Sequence, residues 1–278
     1  MNRLNRLNRL NSLPATLIQR IVEFYIEPVY QLLNWISKEY IDMTYIYRHP
    51  HAMDIVQKDI RYMNWEILSR NPNAIHLLEA NQDKINWFEL SGNPNAIPLL
   101  EANMDKICWS MLSFNINAIH LILANMDKID WYGLSANRNA IPLIEANMDK
   151  VLWDPLSTNP NAIHLLEANQ DKINWIMLSG NPNAIHLLEA NQDKFNSRWL
   201  TLNPSIISII EKGVIPIDMT QFGWTDWRNF CRHPESIPFL HAHQERINWH
   251  GFSENPGIFE FDIEAMRKKV DDITYQLL

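Results

Sequence analysis

The sequence is dominated by a unit of 22 residues that begins with Asn-Pro-Asn-Ala-Ile and recurs with little change. The first clear copy runs from Asn71 to Gly92, and later copies begin at Asn93, Asn115, Asn137, Asn159, Asn181 and Asn203. Self-similarity at a fixed period of this length is typical of stacked repeats, in which each unit contacts its two neighbours. We therefore predict an all-α solenoid of two-helix units with helical caps.

Each unit contains the start of a first helix. With the initial Asn counted as position 1, Asn71 is a suitable N-cap, and Pro72 follows where its missing N–H costs nothing. Apolar residues at positions 4, 5, 7 and 8 then form one stripe of a helix of two to three turns. Asn81 is expected to end this helix, because Asn tolerates the left-handed conformation.

The second half of each unit predicts a shorter helix, α-helical or partly 3-10. If Asn86 is its N-cap, Ile85 and Leu90 have the spacing of a hydrophobic staple. The corresponding caps in other units are Asn64, Asp130, Asn174, Asp226 and Asn248, with Cys108 and Leu152 as exceptions.

A tryptophan recurs at position 17, one residue after this cap. The series comprises Trp65, Trp87, Trp109, Trp131, Trp153 and Trp175. At strict repeat spacing we interpret it as a ladder of core rings and not as a ligand platform, because each ring would bury about 200 Å² between units.

Composition narrows the class of protein. Lys plus Arg number 24 against 32 Asp plus Glu, a formal net charge of −8, which argues against a broad phosphate-binding surface. Cys108 and Cys231 lack metal-site or disulfide spacing, which favours a reducing compartment. The sequence contains neither a membrane-length apolar run nor the apolar centre of a signal peptide. We expect a soluble protein of the cytoplasm.

The chain before the regular units allows two interpretations. Residues 1–11 repeat Asn-Arg-Leu and are expected to be a flexible arm. Residues 12–48 contain a Leu-Pro, an Ile-rich helix, a Pro turn and a second helical stretch, and this order resembles the F-box, the module that docks on the Skp1 subunit of cullin ubiquitin ligases. That resemblance implies docking through Leu13, Pro14, Ile18 and Ile21. Alternatively, Glu27-Pro28 lies 22 residues before His49-Pro50, so residues 27–48 are a degenerate repeat.

The repeat region is assigned to residues 49–262, with an insertion at about 212–224 that lengthens the unit beginning at Asn203. Two glycines and an additional tryptophan in this insertion suggest a binding loop or a packing defect between two sub-stacks. Residues 263–278 have apolar residues at alternating steps of three and four, which predicts an amphipathic helix that caps the last unit.

Taken as a whole, the unit Asn-Pro-Asn-Ala-Ile…Leu-Leu-Glu…Asn…Asp-Lys-Ile…Trp…Leu-Ser resembles the short helical repeats of proteins from giant DNA viruses of amoebae. The resemblance spans about residues 50–256. It implies a repeat array, in some relatives preceded by an F-box-like segment, and it implies nothing about catalytic residues. A viral origin would place the protein in the cytoplasm of the host.

Recurring polar residues are interpreted as structural. The histidines at position 6, His76, His120, His164 and His186, lack a recurring third ligand, so we expect no metal and no cofactor. The Asp-Lys pairs at positions 13 and 14 are expected to serve stacking and solubility. The asparagines at positions 1 and 11 are expected to form ladders between units. No differentiated catalytic constellation is present, and we predict that the protein is not an enzyme.

Recognition is expected where otherwise identical units vary, at positions 18, 19 and 22, and in the insertion. The alternative at the variable positions is drift without function. The partner-binding candidates are Phe88, Met111, Phe114, Tyr132, Ile176, Met177, Ile215, Phe222 and Trp224. The resulting hypothesis is a protein-interaction scaffold that recruits a ubiquitin ligase through a Skp1-like host protein. A modular single-stranded nucleic-acid reader is the alternative, although the acidic balance makes nucleic acid a less suitable partner.

Overall fold

The computed structural model describes residues 29–42, 45, 49 and 64–276, and this part of the chain is mostly helical. The predicted all-α repeat solenoid is confirmed, since two short helices recur about every 22 residues and neighbouring units pack together. The first helices are Ile75–Glu79, Ile97–Glu101, Ile119–Ala124, Ile141–Glu145, Ile163–Ala168, Ile185–Ala190, Ile206–Lys212 and Ile237–Ala242. The second helices are Trp65–Arg70, Trp87–Ser91, Trp109–Phe114, Trp131–Ala136, Trp153–Thr158, Trp175–Leu178, Ser197–Leu200, Trp224–Cys231 and Trp249–Phe252. The C-terminal helix is Ile263–Gln276.

Short 3-10 turns and two strands complete the described elements. The 3-10 turns are Lys38–Tyr40, Pro72–Ala74, Gln82–Lys84, Met104–Lys106, Gln170–Lys172, Met219–Gln221, Pro234–Ser236, Gln244–Arg246 and Pro256–Ile258. The strands, β1 (Tyr30–Leu32) and β2 (Phe259–Phe261), form an antiparallel pair that the sequence did not predict.

Local capping follows the sequence closely. Asn86 accepts a hydrogen bond from the Glu89 amide at 3.2 Å, and Ile85 and Leu90 are both buried, so the predicted cap and staple are confirmed. The predicted cap at Asp226 is wrong, because the inserted residues let this helix begin three residues earlier, after Gly223. The predicted left-handed end at Asn81 is also wrong: its φ is −137°, and its side chain donates to the Leu77 carbonyl of the same helix.

The asparagine at position 1 joins consecutive units. Asn137 is buried, and its Nδ2 donates to the Asn115 carbonyl of the preceding unit and to the Ser113 carbonyl of the unit before that, both at 3.0 Å. Its Oδ1 accepts from the Asn139 amide. The same bonds recur at Asn93, Asn115, Asn159, Asn181 and Asn203. The ladder predicted for position 1 is confirmed, whereas the position 11 side chain of Asn81 bonds only within its own unit.

A serine at position 21, which the sequence analysis did not single out, makes a second link. Ser113 Oγ donates to the Trp109 carbonyl at 2.8 Å and accepts from the Asp130 amide of the next unit at 2.9 Å. Each second helix therefore positions the start of its successor. The Leu-Ser pair that ends almost every unit was the sequence signal for this role.

The fully buried ladder consists of aliphatic residues and alanine, at positions 4, 8 and 20, including Ala74, Leu78 and Leu90. The tryptophans at position 17 are only half-buried, so their assignment as central core rings is corrected. They pack against the core with one face, and the Lys at position 14 of the next unit covers the other. The six Lys Nζ atoms lie 4.5 to 5.4 Å from the ring centroids, which gives the Asp-Lys pair a specific stacking role.

The two ends of the array meet. Strand β1 pairs with β2, so residues 29–42, which we call the closing segment, lie beside the last units. The Asp42 amide donates to Ser253 Oγ at 2.9 Å, which is the bond that joins consecutive units elsewhere. Tyr40 stacks on Trp249 with ring centroids 4.7 Å apart, in the place where regular units have Lys over Trp. The closing segment thus supplies the second half of the unit that begins at Asn255.

The start of the array reaches the same place. The His49 ring lies 4.3 Å from the Phe259 ring, and the His49 carbonyl accepts from Asn71 Nδ2. Because unit follows unit from Asn71 to the closing segment, these contacts make the array a closed circuit. Neighbouring second helices pack directly on one another, whereas neighbouring first helices approach each other less closely. The second helices therefore form the concave layer.

The C-terminal helix packs where the two ends of the array meet. Met266 is fully buried, and the Asp262 side chain accepts from the Ala265 amide at its start. We call residues 203–262 together with the closing segment the junction. Within the described residues, every helix is too short or too polar to cross a membrane.

Candidate interaction surface

Two of the three variable positions are explained by packing between units. A residue at position 19 lies against position 22 of the preceding unit, and their sizes compensate. An added Cβ on Gly92 would lie 3.2 Å from Met111 Cε, and one on Gly133 would lie 2.9 Å from the Phe114 ring. Glu89 pairs instead with Arg70 at 3.2 Å. Variation at positions 19 and 22 therefore preserves contacts inside the array.

This packing makes two of the partner-binding candidates less suitable as binding residues. Met111 and Met177, both at position 19, are half-buried. Met111 fills the space above Gly92 and is part of the array. Neither residue offers a side chain as exposed as those at position 18.

Position 18 is the variable position that faces solvent. Phe88 is 52% exposed, Tyr132 44% and Ile176 48%, and each alternates with a polar residue in the intervening unit. Phe114, 38% exposed, joins them because its ring lies 6.1 Å from that of Tyr132. We call these four residues the second-helix strip. All four belong to second helices, in the layer that forms the concave side.

The insertion divides its three candidates. Ile215 is 1% exposed and is a core residue, so its assignment to partner binding is corrected. Phe222 is half-buried, with its ring 5.5 Å from Trp227 and 6.3 Å from Phe230. Trp224 is 60% exposed and is the only one of the three that offers most of its side chain to solvent.

Two cavities border the lengthened unit. One, of about 460 Å³, lies between Trp224, Trp227, Trp249 and His250 and is broadly open. The other, of about 330 Å³, is more enclosed and lies beside Ser197, between that residue and the insertion. The sequence predicted either a binding loop or a packing defect at the insertion, and it predicted neither cavity.

Histidine–glutamate contacts recur between neighbouring units, and ion pairs lie at the junction. His120 Nε2 lies 2.9 Å from Glu101 Oε1, and the pairs His164–Glu145 and His186–Glu167 repeat this contact. Among the described residues, no group of three metal-ligating side chains lies together. At the junction, the nearly buried Glu254 carboxylate pairs with Arg228 and Arg232 at 3.0 and 2.8 Å, and His250 pairs with Asp42 at 3.1 Å.

Cys231 and His233 replace repeat residues and keep their bonds. Cys231 occupies the serine position, and its Sγ accepts from the Asn248 amide at 3.3 Å. Burial raises the pKa of this thiol to about 11, which keeps it protonated and unreactive. His233 occupies position 1, and its Nε2 lies 2.8 Å from the Thr201 carbonyl. Burial lowers the pKa of His233 and favours the neutral ring.

Residues 12–48, for which the sequence suggested an F-box-like segment or a degenerate repeat, are only partly described. Leu13, Pro14, Ile18 and Ile21 lie outside the described residues. In the second half of this segment, Ile36 is buried, and the Trp35 ring lies 5.7 Å from that of Phe252. This half of the segment is therefore engaged by the array.

Comparison of the chain with protein-family models, with curated proteins and with solved structures finds no match. The geometry of the described residues is therefore the basis of the functional argument.

Proposed function

We propose that the protein is a non-enzymatic scaffold that binds a protein partner through the second-helix strip. The supporting observation is the exposure of Phe88, Tyr132 and Ile176 at a position where packing between units imposes no apolar residue. Serine, aspartate and arginine occupy the same position in intervening units, so the fold does not require these apolar side chains. Aromatic and aliphatic residues on a concave surface are suited to anchoring a partner.

The spacing of the strip suggests the form of the partner. Packed helices lie about 8 to 10 Å apart, so apolar residues on every second unit are about 16 to 20 Å apart. An extended peptide or the edge of a folded domain would span two such anchors. The polar residues between them, Ser110 and Asp154, would form hydrogen bonds at the rim.

Recruitment of a Skp1-containing ligase in the host cytoplasm stays a prediction, because its docking residues precede residue 29. The nucleic-acid alternative also stays a prediction. The apolar members of the second-helix strip do not favour it, since readers of nucleic acid combine stacking rings with a basic groove.

A display library of random peptides would test the proposal with purified protein. Peptides selected on the unmodified chain would be measured against Tyr132→Ser/Ile176→Ser. Loss of both anchors should weaken the selected peptides by about thirtyfold or more, since a single hot-spot residue contributes about 2 kcal/mol.

Leu123→Ser is the matched control, because Leu123 is 55% exposed on a first helix, outside the strip. Exposed substitutions change stability by about 0.5 kcal/mol or less, so all variants should fold. Peptides that bind Tyr132→Ser/Ile176→Ser as tightly as the unmodified chain would exclude the strip as the binding surface.

A further inference from the structure

One unit lacks the ring that its neighbours contain. In the unit that begins at Asn181, Ser197 stands at position 17, where six preceding units have tryptophan. Trp199, two residues later, does not replace the missing ring, because it packs on Gly180 at the other side of the second helix. The next unit brings its insertion, and not a lysine, to the empty place.

The missing ring leaves the cavity of about 330 Å³. Its apolar walls are formed by Phe195, Ile217 and Phe222, all half-buried, while Ser197 lies at the exposed mouth. The volume is at the lower end of the about 300 to 1,000 Å³ usual for small-ligand sites. Apolar cavities of still smaller size bind single aromatic rings.

Two carboxylates, those of Asp218 and Asp226, add hydrogen-bond acceptors and negative charge to the wall of this cavity. Asp226 lines the cavity, and its Oδ1 is buried with no hydrogen-bond partner among the described residues. Its Oδ2 is already used, since it accepts from the Gly223 amide at 2.9 Å. Asp218 also lines the cavity, and hydrogen bonds from Thr220 lower its pKa, so this carboxylate is charged. A ligand with a hydrogen-bond donor and no negative charge would fit these walls.

We propose that this cavity binds an indole group, as a free small molecule or as the tryptophan side chain of a partner. The apolar walls would hold the ring where the repeat pattern elsewhere places one. The indole N–H would donate to the solvent-accessible carboxylate of Asp218. The two carboxylates would disfavour indoles that carry a carboxylate, so indole and tryptamine should bind more tightly than indole-3-acetate.

Fluorine NMR of a fluorine-labelled indole, titrated with the purified chain, would measure binding directly. Ser197→Trp would fill the cavity with the ring of the repeat and should abolish binding while keeping the fold. Ser110→Trp is the matched control, because it adds an indole at an exposed serine of another second helix. This variant should bind the probe like the unmodified chain.

Competition with unlabelled compounds would test the chemistry. Indene, which has the ring shape without the N–H, should compete about tenfold less well than indole, as expected for loss of a hydrogen bond to a charged acceptor. N-acetyl-tryptophanamide tests whether the cavity also accepts an indole that is part of a peptide. If it competes as well as indole does, the natural ligand would be the tryptophan side chain of a partner protein.

Three outcomes would overturn the proposal: absence of indole binding, equal binding by Ser197→Trp, or equal competition by indene. The result is independent of the peptide selection, because neither Tyr132 nor Ile176 lines this cavity. Failure of one proposal would therefore leave the other intact.

Discussion

The six regular units at residues 71–202 and the junction formed by residues 203–262 with the closing segment satisfy the same backbone groups with different side chains. At position 1, Asn137 in a regular unit and His233 at the junction both bond to the carbonyl at position 21 of the unit two before their own. At position 21, Ser113 and Cys231 both accept the amide that starts the next second helix. Over the tryptophans, Lys in regular units is replaced by Arg246 or Tyr40.

This comparison shows what each repeat position requires: a hydrogen bond to a particular backbone group, and not a particular residue type. Buried backbone groups must have partners, so an acceptor or donor of suitable reach is retained even where the residue type changes. The residue type at a repeat position can change wherever another side chain makes the same hydrogen bond. The junction can therefore depart far from the repeat sequence and still continue the stack.

The largest expected loss of stability comes from adding a methyl group where two second helices are in close contact, at Gly251 or at Gly133. An alanine at Gly251 would place its Cβ on the Arg228 carbonyl, where backbone must move. We expect Gly251→Ala to cost about 3 kcal/mol or more in urea unfolding. Gly133→Ala, which meets the Phe114 ring and Ser113 Cβ at 2.9 Å, should cost about 1 to 3 kcal/mol. Equal and small losses in both variants would show that the junction is not packed as described.

The next effect concerns the asparagine ladder. Asn137→Ala removes one bond to each of the two preceding units. It leaves the Ser113 carbonyl without this donor, while the Asn115 carbonyl keeps its bond from the Ala118 amide. We expect a loss of about 2 to 4 kcal/mol in the free energy of unfolding. Asn139→Ala is the control, because its exposed side chain makes one bond to the Ile116 carbonyl. A cost for Asn139→Ala that matches Asn137→Ala would contradict the special role of position 1.

At the junction, the same position should make stability depend on pH. The pKa of folded His233 lies below its unfolded value of about 6.5, so the unfolded chain binds the proton first as pH falls. The contribution of His233 is complete above pH of about 6.5 and declines below it, by at most about 1.4 kcal/mol per pH unit. His233→Asn should therefore lose less stability between neutral and acidic pH than the unmodified chain. Parallel stability curves would refute this assignment.

The smallest expected change in stability concerns the side chain that lies over the tryptophan ring, which is a lysine in the regular units and Tyr40 at the junction. Lys194→Gln removes a cation 4.5 Å from the Trp175 centroid and should cost about 0.5 to 1 kcal/mol. Tyr40→Lys would convert the junction to the regular arrangement and should change stability by about 0.5 kcal/mol or less. Thermal unfolding of both variants measures the difference, and a larger loss for Tyr40→Lys would mean that its stacking on Trp249 is indispensable.

The sequence was sufficient for the parts of the fold that depend on short-range chemistry. The period, the Asn86 cap, the staple and the position 1 ladder all follow from residues within one unit or its neighbour. The contact between positions 19 and 22 was missed because it appears only when sizes in adjacent units are compared. The half-burial of the tryptophans was missed because repeat spacing does not distinguish a covered ring from a central one.

Two features of the sequence together indicate closure of the array, but they were not considered together. The unit that begins at Asn255 has only its first half, and the interpretation of residues 27–48 as a degenerate repeat puts Ile41 at the position of Ile85. Ile41 and Ile85 are 7% and 9% exposed, respectively, so the two residues are buried alike. That two partial units complete one another depends on curvature accumulated over the array, which no local pattern records. The cavity beside Ser197 likewise depends on where the insertion lies in space.

The closure itself is tested most directly by a disulfide between the two strands. Gln31 and Glu260 are directly paired, and opposite residues of antiparallel strands have Cα atoms about 4.5 to 5.5 Å apart, within the range for a disulfide. In a background with Cys108→Ser and Cys231→Ser, Gln31→Cys/Glu260→Cys should oxidise within one chain and shift its mobility on a denaturing gel. Glu39→Cys/Glu260→Cys, with its first cysteine on the exposed 3-10 turn, is the control. Efficient cross-linking of the paired cysteines alone is the predicted result, and no more cross-linking than in the control would contradict a closed array.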